Sequence, residues 1–260
     1  MQPLKSHILC FSPTGTSRQL AVAVAEGVGR PFELTDFTLP AQRETYPHIT
    51  KKEILVVCVP VYYGRVAKTA SEYLAGFKGQ GQPVVLMVNY GNRHYDDAML
   101  ELYYLARACN FEPLAAGAFV SEHSFSNAEF PMAAGRPDAS DLAFAHSFGA
   151  MAAEKLALGG GALHNLPGTA PYKGYPDFHR APVSNNACTL CGYCIEICPT
   201  GAISVKNDTL VTAEQGCIVC QACVKRCPEG AREDSAPGAL ETRQHLRNLT
   251  AERREPEIFV

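Results

Sequence analysis

Cys188-Thr189-Leu190-Cys191-Gly192-Tyr193-Cys194-Ile195-Glu196-Ile197-Cys198-Pro199 returns 29 residues later as Cys217-Ile218-Val219-Cys220-Gln221-Ala222-Cys223-Val224-Lys225-Arg226-Cys227-Pro228. Each block sets three cysteines at intervals of three, then a fourth and a proline. Three thiolates at this spacing curl around three corners of one cubane, and the fourth of each block reaches the other cluster. The spacing therefore assigns one [4Fe–4S] cluster to Cys188, Cys191, Cys194 and Cys227, and a second to Cys217, Cys220, Cys223 and Cys198. Pro199 and Pro228 stop any helix that carries the middle ligands. Zinc sites pair two Cys-x-x-Cys units at longer separation and need neither the third cysteine nor the proline. A unit this small cannot stand on an apolar core alone, so the clusters are expected to hold the fold as well as carry electrons.

The other three of the 11 cysteines, Cys10, Cys58 and Cys109, lie in apolar stretches and read as core thiols. Clustered cysteines of this kind belong to a reducing compartment, where they are more often ligands than disulfides. The chain of 260 residues is 47% hydrophobic and 19% charged, with a net charge of −3, which excludes the basic face a nucleic-acid binder needs. The first residues show no long apolar run or small-residue cleavage pattern, and no stretch reaches the roughly 18 apolar residues of a membrane span. A cytoplasmic protein is expected.

Upstream of the cysteines, apolar runs alternate with helical stretches. Strands are predicted at Ser6–Phe11, Phe32–Asp36, Glu53–Val59, Pro83–Val88 and Glu112–Ser121. Helices are predicted at Ser17–Val28, Ala67–Phe77, Asp96–Cys109 and Asp138–Leu158, the last capped by Asp138 or Ser140. Glu53–Val59 is rich in β-branched residues, as a strand buried on both faces must be. The alternation predicts a doubly wound parallel α/β sheet of five strands over residues 1–158, without fixing the strand order. Residues 159–186 form a connector whose aromatics, Tyr172, Tyr175 and Phe178, point to packing against a neighbour. A small α+β cluster unit follows at 187–234, then a helix and tail at 235–260, with the helix at Gly238–Leu249.

Three loops lie at the predicted carboxyl ends of strands, where open α/β sheets bind ligands. Ser12-Pro13-Thr14-Gly15-Thr16-Ser17 precedes the first helix and offers hydroxyls and backbone N–H groups to an anion, or else simply caps that helix. It has neither a Walker lysine nor a GxGxxG pattern. Pro60-Val61-Tyr62-Tyr63-Gly64-Arg65 and Asn89-Tyr90-Gly91-Asn92-Arg93-His94-Tyr95 bring glycines that admit a ring edge and tyrosines that either stack on it or pack the core. His123 reads as a loop histidine that is either exposed or set at a cofactor edge. Arg93 is either solvated or set against a reduced cofactor's charge.

Two resemblances follow from these residues. Residues 187–232, with all eight ligand positions and both prolines, resemble the bacterial-type two-cluster ferredoxins, which implies low-potential, one-electron carriage. Ser12-x-Thr14-Gly15-x-Ser17 resembles the phosphate loop of the flavodoxin family. That likeness implies an FMN whose phosphate is held by Ser12, Thr14, Gly15, Thr16 and Ser17. Pro60, Val61, Tyr62, Tyr63, Gly64, Asn89, Tyr90, Gly91, Asn92 and Tyr95 would then flank its ring. The chain has no tryptophan, so the tryptophan stacker of many flavodoxins is absent. Nearly the full length is similar to the flavodoxin–ferredoxin fusions called ferrodoxins. The expected function is relay of single electrons between two [4Fe–4S] clusters and FMN, and onward to a redox partner protein that an acidic cluster face would dock. The alternative is a flavin-dependent reductase in which the clusters feed FMN for reduction of a small organic substrate. No catalytic residue is assigned.

Overall fold

Strands and helices alternate along the first part of the chain, which we describe from a computed structural model covering residues 5–176, 180–235 and 237–260. They are β1 (Lys5–Cys10), α1 (Thr16–Val28), β2 (Phe32–Asp36), β3 (Glu53–Tyr62), α2 (Lys68–Gly76), β4 (Pro83–Tyr90), α3 (Ala98–Ala108), β5 (Glu112–Val120) and α4 (Ala139–Ala157). The five strands are parallel and lie in the order β2-β1-β3-β4-β5. This is the flavodoxin-like order, whose ligand crevice opens beyond the carboxyl ends of β1 and β3, where the winding reverses.

Every residue of Glu53–Val59 is buried, because alternate side chains enter two different cores. Leu55, Val57 and Val59 pack with Leu74 of α2 and Leu102 of α3. Ile54, Val56 and Cys58 pack with Leu20 of α1 and Phe148 of α4. Helices α1 and α4 cross very closely: a Cβ on Gly27 would stand 1.9 Å from the His146 carbonyl oxygen, and one on Gly149 would stand 2.0 Å from that of Val24. Asp138 caps α4, accepting from the Asp141 N–H at 3.0 Å, while the Asp141 carboxylate accepts from the Asp138 N–H at 2.9 Å. Helix α3 starts at Ala98, two residues later than predicted, because Asp96 takes a left-handed backbone conformation (φ +42°), and the Asp97 carboxylate accepts from the backbone N–H groups of Thr169 and Lys173. Cys10, Cys58 and Cys109 are buried, as expected.

The connector does pack. Arg65 lies 4.8 Å from the ring centres of both Tyr172 and Tyr175, and the Tyr175 hydroxyl donates to the Val66 carbonyl at 2.6 Å. Phe178 lies outside the described residues.

The cysteine unit contains β6 (Val183–Ser184), α5 (Tyr193–Glu196), β7 (Ile203–Lys206), β8 (Thr209–Thr212), α6 (Ala222–Lys225) and β9 (Arg232–Glu233). The sequence repeat is also a backbone repeat. Leu190 and Val219, Gly192 and Gln221, and Gly201 and Gly230 adopt the left-handed conformation in equivalent pairs. The chain then runs through α7 (Ala239–Leu249) to β10 (Glu257–Phe259), which pairs antiparallel with β5. With the two-residue strand Arg65–Val66 at the end of β3, seven strands form the main sheet among the described residues. The two antiparallel additions were not foreseen: a two-residue and a three-residue strand are too short to show a period of two. Among the described residues, no helix is long and apolar enough to cross a membrane.

Candidate functional site

The cysteines divide as their spacing requires. Cys188, Cys191, Cys194 and Cys227 line one pocket, so the fourth cysteine of the second block has crossed to the first three of the other. Cys198, Cys217, Cys220 and Cys223 lie close enough for their charges to act on one another. The two sets touch: Cys194, Cys198 and Cys223 share one packed group with Ile203 and Leu210. Backbone N–H groups point at the sulfurs in repeat-related pairs, Ala202 to Cys198 and Ala231 to Cys227, both at 3.3 Å, and Val219 donates to Cys217 at 3.4 Å. Such bonds help set the potential of a thiolate-bound cluster. Burial pushes the Cys217 thiol up to about 11 and drives Cys220 higher still. Each thiolate of a cubane binds its own iron, so the four sulfurs need not converge on one point. Among the described residues, no three His, Cys, Asp or Glu side chains do. A soft, four-sulfur donor set of this kind fits an iron–sulfur cluster.

The two sets differ in exposure. Cys191 is exposed, beside the exposed Leu190, whereas Cys220 is buried against the α/β domain. Tyr62, at the end of β3, packs on the group formed by Ile197, Cys220 and Ala222.

A cavity of about 300 Å³ opens at the carboxyl ends of the strands. The β3 loop supplies Val61, Tyr62, Tyr63 and Gly64, and the β4 loop supplies Tyr90, Gly91, Arg93 and His94. His123, Ser124 and Phe125 come from the loop after β5, and Thr242 and Leu246 of α7 cover it. Arg180 and the pair Ile218–Val219, between Cys217 and Cys220, complete the wall. No acidic residue lines it among the described residues. The volume is at the lower end of the roughly 300–1,000 Å³ usual for ligand sites.

The first loop leads directly into α1. Gly15 takes the left-handed conformation (φ +92°) just ahead of α1, and the Ser12 hydroxyl accepts from the Arg18 N–H at 3.0 Å. Asn89 Nδ2 donates to the Thr16 and Ser17 hydroxyls at 3.0 and 3.1 Å, and the buried Ser17 hydroxyl also meets the Cys58 thiol. Asn89 Oδ1 is buried with no partner. A buried amide oxygen left unsatisfied costs about 1–3 kcal/mol, and a ligand hydroxyl or N–H would satisfy this one. These residues fit FMN.

The structure thus gathers Val61, Tyr62, Tyr63, Gly64, Tyr90 and Gly91 around one cavity, with Ser12, Thr14, Gly15, Thr16, Ser17, Pro60 and Asn89 outside its wall. Asn92 and Tyr95 are engaged elsewhere. Asn92 Nδ2 donates to the Thr250 and Glu252 carbonyls at 2.8 Å, and its Oδ1 accepts from the Arg254 N–H at 3.0 Å. The buried Tyr95 donates its hydroxyl to Glu257 at 2.7 Å. Both residues pin the segment that ends in β10. His123 is half-buried: its ring lies against Gly91, and Nδ1 accepts from the Phe125 N–H at 3.1 Å, which puts the proton of the neutral ring on Nε2. Burial first, then Lys225 and Arg93, lowers His123 to about 4. Ile218–Val219 escaped notice, although a signal was present: the equivalent pair in the first repeat is the more polar Thr189–Leu190.

Residues 187–232 match a family model described as a 4Fe-4S dicluster domain. No curated protein matches the chain significantly. Among solved structures, a flavodoxin from the domain Archaea is 16% identical, covering 59% of this chain and 99% of its own, with a TM-score of 0.41. A WrbA-like flavodoxin from Agrobacterium tumefaciens is 17% identical over 59% and 98% of the two chains, with a TM-score of 0.39. The rubredoxin oxygen:oxidoreductase of Desulfovibrio gigas is 13% identical over 60% of this chain and 37% of its own, with a TM-score of 0.42. The chain joins a flavodoxin-like α/β domain, defined by its strand order, to an iron–sulfur domain of the dicluster class.

Proposed function

We propose that this protein relays electrons between two [4Fe–4S] clusters and an FMN, and exchanges them with a redox partner protein. The observation that carries the proposal is the position of Ile218–Val219. These residues belong to the loop between two ligand cysteines, and they also wall the cavity. The Cys198/Cys217/Cys220/Cys223 site is therefore the inner one, in contact with the cavity wall, and the site with the exposed Cys191 is the outer port for the partner. FMN, when bound, supplies a centre that exchanges electrons singly or in pairs. Tyr62 spans the gap by packing on the Cys220 group while lining the cavity. His123 holds a proton on Nε2 at the cavity wall, and Arg93 lies there with its guanidinium paired to Asp96. The α7 cover and the small volume favour a carrier over the reductase alternative, which needs room for a substrate above the ring.

Anaerobic reconstitution, followed by iron, sulfide and FMN determination, is expected to give two clusters and one FMN per chain. Titration with dithionite should then show electrons equilibrating between clusters and flavin. Zinc in place of iron would sink the cluster assignment, and cofactors that are present but do not exchange electrons would sink the relay.

A further inference from the structure

Arg232 is a buried cation with no anion beside it among the described residues. The residue is 3% exposed. Its Nη1 donates to the Ser184 hydroxyl at 2.9 Å, and its Nη2 donates to the Pro182 carbonyl at 2.7 Å and the Thr212 hydroxyl at 2.6 Å. Its Nε has no partner. All of these acceptors are neutral. Among the described residues, no carboxylate stands within ion-pair reach of it. Asp234, two residues on, is held instead by Arg180 and Arg243. A guanidinium cannot escape the cost of burial by losing its proton, and an unpaired buried charge costs several kcal/mol. The described residues therefore supply it no counter-charge.

The repeat makes the point sharper. Arg232 stands where the first block has Ile203, which is buried in the cysteine core. The second block has thus replaced an apolar core residue with a cation. Its surroundings show which anions it meets. Arg232 lines the pocket of Cys188, Cys191, Cys194 and Cys227, and its Nη2 is also 4.0 Å from the sulfur of Cys223, in the other set. The guanidinium lies between the two cysteine sets. Loaded with clusters, both sets are net negative, and each gains one further negative charge on accepting an electron, with no bond made or broken.

We propose that Arg232 is an internal counter-charge shared by the two clusters, raising the reduction potential of both. This rests on the reading of the eight cysteines as ligands of two [4Fe–4S] clusters. A fixed buried cation favours the more negative, reduced state of each cluster, and net charge and hydrogen bonds to sulfur are among the quantities that set such potentials. The position is suited to a relay: an electron on either cluster is held by the same guanidinium.

The test is potentiometric titration of the reconstituted full chain, followed by EPR, with iron and sulfide counted first in every sample. Arg232→Gln removes the charge and is expected to shift both potentials downward. Ser184→Asp leaves Arg232 in place but gives it a carboxylate partner, and should shift both in the same direction. Arg232→Lys keeps the charge and should stay near the wild type. Fully loaded Gln and Asp variants with wild-type potentials would overturn the proposal, as would a Lys variant shifted as far as the Gln one. If the Gln variant binds iron poorly, the Asp variant decides the matter. Wild-type protein without two clusters overturns the underlying reading, and the inference with it.

Discussion

Gly91→Ala tests where the flavin ring sits. Gly91 does not have a positive φ, so alanine there meets no backbone penalty and the effect is one of space. An added Cβ would stand 2.4 Å from His123 Cδ2, 2.7 Å from Cγ and 2.8 Å from Cα. The ring must retreat by about 1 Å to reach an ordinary contact of 3.4 Å or more. The His123 backbone cannot easily give way, because its N–H donates to the Met132 carbonyl at 3.1 Å and its carbonyl accepts from the Ser126 N–H at 2.9 Å. The imidazole therefore swings into the cavity. Overpacking of this kind costs about 1–3 kcal/mol. At about 1.4 kcal/mol per tenfold, FMN affinity should fall about 5- to 150-fold. Flavin-free protein carrying its clusters would be titrated with FMN and followed by flavin fluorescence, with iron and sulfide expected to remain at wild-type levels. Gly174→Ala is the control, since its Cβ would meet nothing within 4 Å. If Gly91→Ala binds FMN as tightly as the wild type does, the ring does not lie in this cavity.

Two further outcomes can be checked independently. Asn92→Ala removes three hydrogen bonds to residues 250–254, worth about 2–4 kcal/mol together at about 0.5–1.5 kcal/mol each. The loss should fall on the β10 segment, giving faster amide exchange at Glu257–Phe259 and tryptic cleavage at Arg253 and Arg254; unchanged protection would show that Asn92 is not the latch. His123 should titrate near pH 4 by NMR, and Lys225→Gln should move it upward, since Lys225 is one of the charges that depress it. Because the folded value lies below the ordinary 6.5, the unfolded chain binds more protons between the two, and stability falls as pH drops from about 6.5 towards 4, by at most about 3 kcal/mol. A His123 resonance that titrates near 6.5 would place the ring in solvent.

Much of this protein is legible in one dimension. Ligand spacing is a local property, because Cys-x-x-Cys-x-x-Cys brings three sulfurs to one site whatever lies beyond it, and the crossing of Cys198 and Cys227 follows from the repeat. The parallel sheet is also legible, because a strand buried on both faces must be apolar throughout, as Glu53–Val59 very nearly is. The phosphate-type loop is carried by contiguous residues. In all three cases the chemistry is specified by neighbours in sequence.

What stayed hidden depends on pairs distant along the chain. Nothing in Asn92 or Tyr95 distinguishes a flavin contact from a latch; the difference lies in Thr250, Glu252, Arg254 and Glu257, about 160 residues away. His123 sits against the sheet because Gly91 leaves room for its ring. Ile218–Val219 face a cavity because the inner cysteine loop docks on β3, and Asp234, two residues from Arg232, pairs instead with Arg180 and Arg243. Sequence by itself determined the grouping of the cysteines, the strands and the turn ahead of α1, since backbone geometry and spacing fix these locally. Only the tertiary structure decided which cluster site faces the cavity and which side chains are free to act there, because burial and charge pairing are properties of surfaces brought together by folding.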